Sequence, residues 1–156
     1  MDKVAIDDVD VPTPNPAERA VPLSDVLGTN ELAINYYELA TGQRFGFDVH
    51  RHMDQEEVFY IQQGTVTFQL ADGEVVVGPR EVIRFAPGEF QLGVNHADEL
   101  VKAVGLGAPR GSRDIEYLRE CLHCDDETVQ TLEPSETGVF RVTCNRCERE
   151  TVREEP

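Results

Sequence analysis

Short apolar runs rich in Val, Ile, Phe and Tyr, separated by turn residues, extend from residue 32 to residue 106. Alternation of apolar and polar positions within these runs is typical of half-buried strands, and the Gly- and Pro-containing turns between them allow the chain to reverse. The predicted strands are 32–39, 44–50, 57–62, 65–70, 74–77, 82–85, 90–94 and 100–106. So many short strands favour a closed β-barrel or jelly roll, because closure removes exposed strand edges. The fold class is therefore predicted to be all-β.

The segment before this pattern has a different composition. Residues 1–28 carry six acidic residues and four prolines without sustained periodicity. Such a composition is typical of an arm or linker, either disordered or draped on the core. We therefore assign residues 1–28 to an acidic, Pro-rich N-terminal arm and residues 29–108 to the barrel.

The segment after the barrel begins with a Pro-Gly break. Ser112 can cap a short helix over 113–119, so residues 109–119 are predicted to be a linker with a short helix. Residues 120–153 are too few and too charged to form an apolar core of their own. This last unit needs a different source of stability.

Two pairs of cysteines lie in the C-terminal unit. Each pair has the C-x-x-C spacing, and 19 residues separate the pairs, within the range of a zinc ribbon. Two such turns bring four thiolates to one tetrahedral site suited to zinc. A redox C-x-x-C, four unrelated thiols, or His123 in place of one cysteine are the alternatives. The proposed zinc ligands are Cys121, Cys124, Cys144 and Cys147.

The charge of the chain limits its partners. The formal net charge is −16, from 30 acidic and 14 basic residues, of which only two are lysines. An acidic surface repels phosphate backbones and anionic lipids, so nucleic acid and membranes are not expected partners. The N-terminus is acidic where a secretory signal would be basic and then apolar, so we expect a cytoplasmic protein. Acid excess with few lysines further indicates a salt-rich cytoplasm, such as that of a haloarchaeon.

Candidate chemistry in the barrel begins with two histidines. His50 and His52 are two residues apart and would share one face of a strand. Glu57 opens the next predicted strand, so two imidazoles and a carboxylate can converge on one divalent cation. A pair of histidines with purely structural roles is the alternative, and Glu56 is a rival for the carboxylate.

These residues resemble the motifs of the cupin superfamily over 32–106. The first motif, H-x-H, four residues, Glu, six residues, Gly, matches His50, His52, Glu57 and Gly64. The second motif matches Gly78, Pro87, Gly88 and Asn95. The chain departs from it at Ala86, where proline is usual, and at Gln91, where the fourth ligand histidine is usual.

The resemblance implies a cupin-type β-barrel (jelly roll) with a divalent metal, Fe, Mn, Ni or Zn, held by His50, His52 and Glu57. Gln91 would be a weaker fourth ligand or would hydrogen-bond a metal-bound water. The fold alone fixes no activity. We expect a metal-dependent enzyme of dioxygenase or isomerase type acting on a small oxygen-bearing molecule, or else a non-catalytic module that binds a small molecule or a protein.

Two further expectations concern the surfaces of the strands. Arg84, Tyr60 and Gln91 are candidates to orient a substrate, and no catalytic residue is assigned. Phe45, Phe47 and Val49 alternate with the histidine face and would form an outer apolar patch. Such a patch is seldom left exposed, and the family often dimerises, so a homodimer is predicted.

The acidic charge leads to a testable prediction. The free energy of unfolding should rise with salt up to about 1 M, where the Debye length falls to about 3 Å and repulsion between carboxylates is screened. Thermal melts in increasing KCl measure this dependence. A melting temperature that stays flat or falls between low and molar KCl would remove the basis for a salt-rich environment.

Overall fold

The computed structural model describes residues 1–9, 16–134 and 140–153. Within these residues the chain forms a 3-10 helix (Ile6–Asp8), one short α-helix and thirteen strands, and none of its helices is long and apolar enough to cross a membrane. The helix is α1 (Leu23–Leu27), and the strands are β1 (Arg19–Pro22), β2 (Ala33–Leu39), β3 (His50–His52), β4 (Glu56–Gln63), β5 (Val66–Leu70), β6 (Gly73–Val77), β7 (Val82–Phe85), β8 (Leu92–Val94), β9 (Val101–Ala108), β10 (Ile115–Cys121), β11 (Asp126–Pro134), β12 (Phe140–Cys144) and β13 (Glu150–Arg153).

Two antiparallel sheets form the barrel and enclose its core. The larger has the strand order β1-β2-β9-β4-β7, and the smaller has the order β6-β5-β8. The buried side chains of one continuous cluster come from both sheets, because alternate residues of each strand point to the interior. The predicted all-β class is confirmed, and seven of the eight predicted barrel strands agree closely with β2 and β4–β9.

An aromatic cluster fills the interior. The rings of Phe45 and Phe59 stack with centroids 4.9 Å apart, and Phe68 lies 5.3 Å from Phe59 and 5.2 Å from Phe85. Gly93 allows this packing, since a Cβ atom there would lie only 2.4 Å from the Phe45 ring. The cluster packs next to the cavity that holds the polar residues, and Phe45 and Phe59 line both.

The N-terminal segment covers the outer face of the larger sheet. β1 pairs with β2, and Val21, Leu23 and Tyr36 are buried together. Ile34 and Val104 pack against this second cluster. The described parts of the predicted arm are therefore draped on the barrel, whereas Pro12 and Pro14 lie outside the described residues.

Asn95, the last residue of the second motif, ties two loops together inside the barrel wall. It is fully buried, and its amide nitrogen donates to the carbonyl groups of Leu39 and Glu99, both at 2.9 Å. Its side-chain oxygen accepts the backbone N–H of Ala97 at 2.9 Å. The amide of Asn95 thus satisfies backbone groups of two loops and holds them together.

A third antiparallel sheet contains the C-terminal strands and one barrel strand, in the order β13-β12-β11-β10-β3. The short helix predicted over 113–119 is wrong, because Ile115–Cys121 is β10. Pairing with β3 on one side and β11 on the other satisfies the backbone of β10, and this non-local pairing overrides the weak local helix pattern. The C-terminal unit is therefore continuous in hydrogen bonding with the strand of the two histidines.

The predicted strand 44–50 is also corrected. Arg44 forms only an isolated bridge with Val94, and the chain bends until β3 begins at His50. Phe45 points into the core, whereas Phe47 is partly exposed. Phe45 therefore does not belong to the predicted outer patch with Phe47 and Val49, which removes one of the two grounds for the homodimer; the homodimer itself stays a prediction.

Candidate metal centres

Three metal donors converge at one end of the barrel interior. His50 and His52 on β3 have ring centroids 5.3 Å apart, and Glu57 follows on β4. One donor atom from each of the three residues lies within 4.8 Å of the other two. This separation suits coordination of a single cation by two imidazoles and a carboxylate.

Hydrogen bonds at Nδ1 orient both imidazoles. His50 Nδ1 lies 2.8 Å from the carbonyl oxygen of Asp48, and His52 Nδ1 lies 3.0 Å from the Ser112 hydroxyl. Ser112 in turn donates to the Asp54 carboxylate at 2.5 Å. Because Nδ1 carries the proton in this arrangement, each ring presents its Nε2 lone pair to the interior.

Gln91 completes the floor of the site. Its side chain is almost fully buried, and its amide nitrogen donates to Glu57 at 2.8 Å and lies 3.2 Å from His50 Nε2. Its amide oxygen is buried and has no hydrogen-bond partner among the described residues. The amide thus faces the donor group through nitrogen and leaves one acceptor unsatisfied.

Burial sets the protonation of the donors. Burial lowers the pKa of His52 to about 4, and nearby His50 contributes a smaller lowering. Burial also lowers the pKa of His50. Burial raises the pKa of Glu57 to about 7, against the hydrogen bond from Gln91. Both imidazoles are therefore in the neutral form that binds metal, and a bound cation would stabilise the carboxylate.

A cavity of about 280 Å³ opens above these donors. Asn35 and Tyr37 on β2 line it from the opposite wall, and neither side chain hydrogen-bonds to another described residue. Gly105 on β9, which also lines the cavity, lets the rings of Tyr37 and Phe59 pack closely against the sheet, because a Cβ atom there would lie 3.1 Å from each. The cavity has the size of a small-molecule site with a few polar groups on its walls.

Several residues singled out in the sequence lie elsewhere. Arg84 is on the outer surface and pairs with Glu56 at 2.7 Å, so Glu56 is turned away from the histidines. Tyr60 is also partly exposed and does not line the cavity. These positions correct the proposed substrate role of Arg84 and Tyr60.

Four other residues that line the cavity were not among the candidates singled out in the sequence. Asn35 and Tyr37 are two positions apart on β2, so their alternation could have shown that they share its inner face. Gln55 and Ser112 come from connecting segments, and no periodic signal marks them. Their place depends on the tertiary structure.

The four cysteines form a second candidate metal centre. One sulfur atom from each lies within 4.8 Å of the other three, and the contacts Cys121–Cys147 and Cys124–Cys144 measure 3.8 and 3.9 Å. His123 is exposed and lies beside Arg149, outside this group. The cluster is compatible with a zinc ribbon and fits a divalent cation.

The two cysteine turns have the same local geometry. Asp125 has φ of 51° and donates its backbone N–H to Cys121 at 2.9 Å, and Glu148 has φ of 58° and donates to Cys144 at 2.9 Å. Each turn joins two antiparallel strands, β10 to β11 and β12 to β13. Two equivalent hairpin ends thus present their thiols to one point.

Comparison with known proteins supports the cupin superfamily for the barrel. Residues 35–106 match the family model described as "Cupin domain". The fold is similar to a sugar phosphate isomerase of the cupin superfamily from Silicibacter pomeroyi (17% identity, TM-score 0.62, 97% of this chain and 92% of that chain). It is also similar to the polyketide cyclase RemF from Streptomyces resistomycificus (19%, 0.63, 80% and 90%) and to a cupin 2 conserved barrel domain protein from Salinispora arenicola (18%, 0.58, 70% and 90%).

None of the curated proteins with which the sequence was compared matches it. At the identities of the solved structures, the likeness establishes a shared fold and carries no activity to this chain.

The raised pKa of Glu57 gives a prediction for the metal-free protein. Below pH 4.5 the carboxyl is protonated in both the folded and the unfolded state; between 4.5 and about 7 the unfolded state loses its proton first. The contribution of Glu57 to the free energy of unfolding should therefore fall through this window, by about 3 kcal/mol at most. The lowered pKa of His52 acts in the opposite direction between pH 4 and 6.5, but it does so in the parent and in a Glu57 variant alike. In denaturant titrations of chelator-treated protein, the free energy of unfolding of the parent should therefore fall relative to that of Glu57→Gln as the pH rises from 4.5 to 7.

Glu56→Gln is the matched control, since it removes a carboxylate one residue earlier on the outer surface. It should show the same fall relative to Glu57→Gln as the parent does. If parent and Glu57→Gln have parallel pH profiles, the Glu57 carboxyl is not buried as described.

Proposed function

We propose that this chain is a metal-dependent cupin in which His50, His52 and Glu57 hold a divalent cation at the floor of the cavity. The observation that carries the proposal is the convergence of these three donors, with both Nδ1 atoms hydrogen-bonded and both Nε2 atoms directed inward. Two nitrogens and one oxygen suit Fe(II), Mn(II), Ni(II) or Zn(II) and leave coordination positions open. When bound, the cation would polarise or activate an oxygen ligand.

Gln91 is proposed to orient Glu57 rather than to be a strong ligand. The 2.8 Å hydrogen bond from its amide nitrogen to the carboxylate supports this role. Its unpaired amide oxygen requires a donor when the site is hydrated or filled, such as a water molecule or a substrate hydroxyl. An amide is also a weaker donor to a first-row metal than an imidazole, so the barrel metal should be exchangeable.

The walls of the cavity favour a small uncharged substrate that bears oxygen. Burial raises the pKa of Tyr37, so its hydroxyl stays protonated and donates a hydrogen bond at neutral pH. Asn35 can both donate and accept. Among the described residues, Arg110 is the one Lys or Arg side chain along the cavity, and it is already engaged by Asp25 and by the carbonyl oxygen of Thr29.

Chemistry at the cation fits this cavity better than proton transfer by a separate base. Apart from the three donors, the titratable side chains lining it are Tyr37 and Arg110, and neither is a base at neutral pH. We therefore propose a dioxygenase-type reaction on a small hydroxy or keto compound. The absence of a separate base also keeps a binding module without catalysis as the second candidate.

The four-cysteine cluster is proposed to hold zinc in a structural zinc ribbon. Four converging sulfur atoms and the two equivalent turns support this assignment. Among the described residues of 121–153, Val142 is the one buried aliphatic side chain, so a bound metal would supply most of the stability. The acidic surface favours contact with protein over contact with nucleic acid.

Metal binding tests the barrel site directly. Protein loaded with one zinc per chain, which the four thiolates should take first, should bind one further Mn(II) per chain, because Mn(II) prefers nitrogen and oxygen donors over thiolates. His52→Ala should weaken this binding at least tenfold, and Gln91→His should tighten it, as measured by electron paramagnetic resonance of free Mn(II). His96→Ala, at an exposed histidine, is the control and should match the parent. Mn(II) binding that His52→Ala leaves unchanged would contradict the site.

Oxygen uptake tests the reaction type. Fe(II)-loaded protein should consume oxygen with at least one member of a panel of small hydroxy and keto compounds. Tyr37→Phe should lower kcat/KM by up to about tenfold, the effect of one lost hydrogen bond, without changing Mn(II) affinity. If compounds of the panel raise the melting temperature but none supports oxygen uptake, the chain is the binding module.

A further inference from the structure

The strand that carries both histidines depends on β10 for most of its pairing. β3 has three residues, and each of them is paired with β10, in the register His50 with Tyr117 and His52 with Ile115. On its other edge it makes three backbone hydrogen bonds, two with Gln91 and one with Gly88. A strand this short has little stability without a neighbour on each side.

Side chains reinforce the same contact. Arg119 on β10 is buried and forms an ion pair with the Asp48 carboxylate, and the carbonyl oxygen of Asp48 accepts the hydrogen bond from His50 Nδ1. The ring centroids of Tyr117 and His50 lie 5.9 Å apart. The Arg119 guanidinium lies 5.1 Å from the Tyr117 centroid. The orientation of His50 therefore depends on groups of β10.

The other end of β10 belongs to the cysteine cluster. β10 ends at Cys121, four residues after Tyr117, a distance of about 13 Å along a strand. The carbonyl oxygen of Arg119 accepts the Gln130 amide at 3.1 Å, Gln130 donates to Thr128, and the Thr128 hydroxyl lies 3.4 Å from Cys144 Sγ. A continuous set of buried polar contacts thus joins a thiol of the cluster to Arg119 on β10, the strand that pairs with β3.

We propose that the four-cysteine site is a positioning element for the metal centre of the barrel, and that Arg119 is a positioning residue which acts through Asp48 and His50. The inference rests on the proposed function, in which both sites hold metal. With its metal, the cluster fixes the hairpin ends of β10–β11 and β12–β13 and so holds β10 against β3. Without it, the C-terminal sheet has little buried apolar surface to offset the entropy of ordering, and β3 loses its neighbour.

The size of the effect follows from the behaviour of groups that orient metal ligands. Loss of such a hydrogen-bonded partner typically weakens metal binding by about 10- to 100-fold. Because coupling between two binding sites is reciprocal, metal in the barrel should also retain metal in the cysteine cluster by the same factor.

The experiment compares Mn(II) affinity, zinc content and hydrogen exchange of 48–53 in four full-length proteins: parent, Cys144→Ser, Arg119→Met and Arg146→Ala. Cys144→Ser should lose zinc, exchange faster over 48–53 and bind Mn(II) at least tenfold more weakly. Arg119→Met should keep zinc and show the same two effects on the barrel site. Arg146→Ala removes an exposed ion pair with Asp126 beside the cluster and should stay within twofold of the parent.

Rescue separates positioning from general destabilisation. Arg119→Lys keeps a cation beside Asp48 and should recover most of the Mn(II) affinity lost in Arg119→Met. If Cys144→Ser keeps its zinc or fails to fold, parent protein freed of zinc by a chelator replaces it in the same comparison, while Arg119→Met and Arg119→Lys test the role of Arg119.

The outcomes separate this inference from the proposed function. If Cys144→Ser loses its zinc but keeps the Mn(II) affinity of the parent and its exchange over 48–53, the positioning role of the cysteine site is wrong while the barrel site stands. If Arg119→Met keeps its zinc and is equally unchanged, the positioning role of Arg119 is wrong. If the parent itself binds Mn(II) no better than His52→Ala, it is the proposed metal function that fails.

Discussion

The placement of ionisable metal donors in the interior of the barrel is the constraint on which the rest of the structure depends. Removal from water disfavours the charged form of each donor, and the raised pKa of Glu57 and the lowered pKa of His52 record this cost. The protein offsets part of it with hydrogen bonds from Gln91 to Glu57 and between Ser112 and His52. A bound cation would offset the remainder.

The donors lie between the packed aromatic cluster and the open cavity. The aromatic cluster below them packs tightly, and Gly93 gives it room. On the other side of the donors lies the cavity, which Asn35, Tyr37 and Gly105 also line. Dense packing on one side and an open cavity on the other are what a metal site with access for a small molecule needs.

The C-terminal sheet connects the cysteine cluster to the barrel. A zinc ribbon attached by a flexible linker would be independent of the barrel, whereas β10 runs from the histidine strand into the cysteine cluster without a break in pairing. The buried ion pair of Arg119 with Asp48 lies at this junction. A charged pair in such a place fixes one register of the two strands more than it adds stability.

Local pattern and spacing determined much of this protein. Alternation of apolar residues defined most barrel strands, the spacing of His50, His52 and Glu57 defined the donor group, and two C-x-x-C pairs defined the second cluster. These features follow from the sequence alone because strand period, turn chemistry and ligand type act over a few residues.

Only the tertiary structure decided the features that depend on distant partners. Residues 115–119 fit a short helix locally, but partners on both edges make them a strand. Phe45 packs into the core against Gly93 on β8, and Tyr37 lines the cavity against Gly105 on β9. In each case the deciding contact joins segments far apart in the chain, and its energy exceeds the weak local preference of the residues involved.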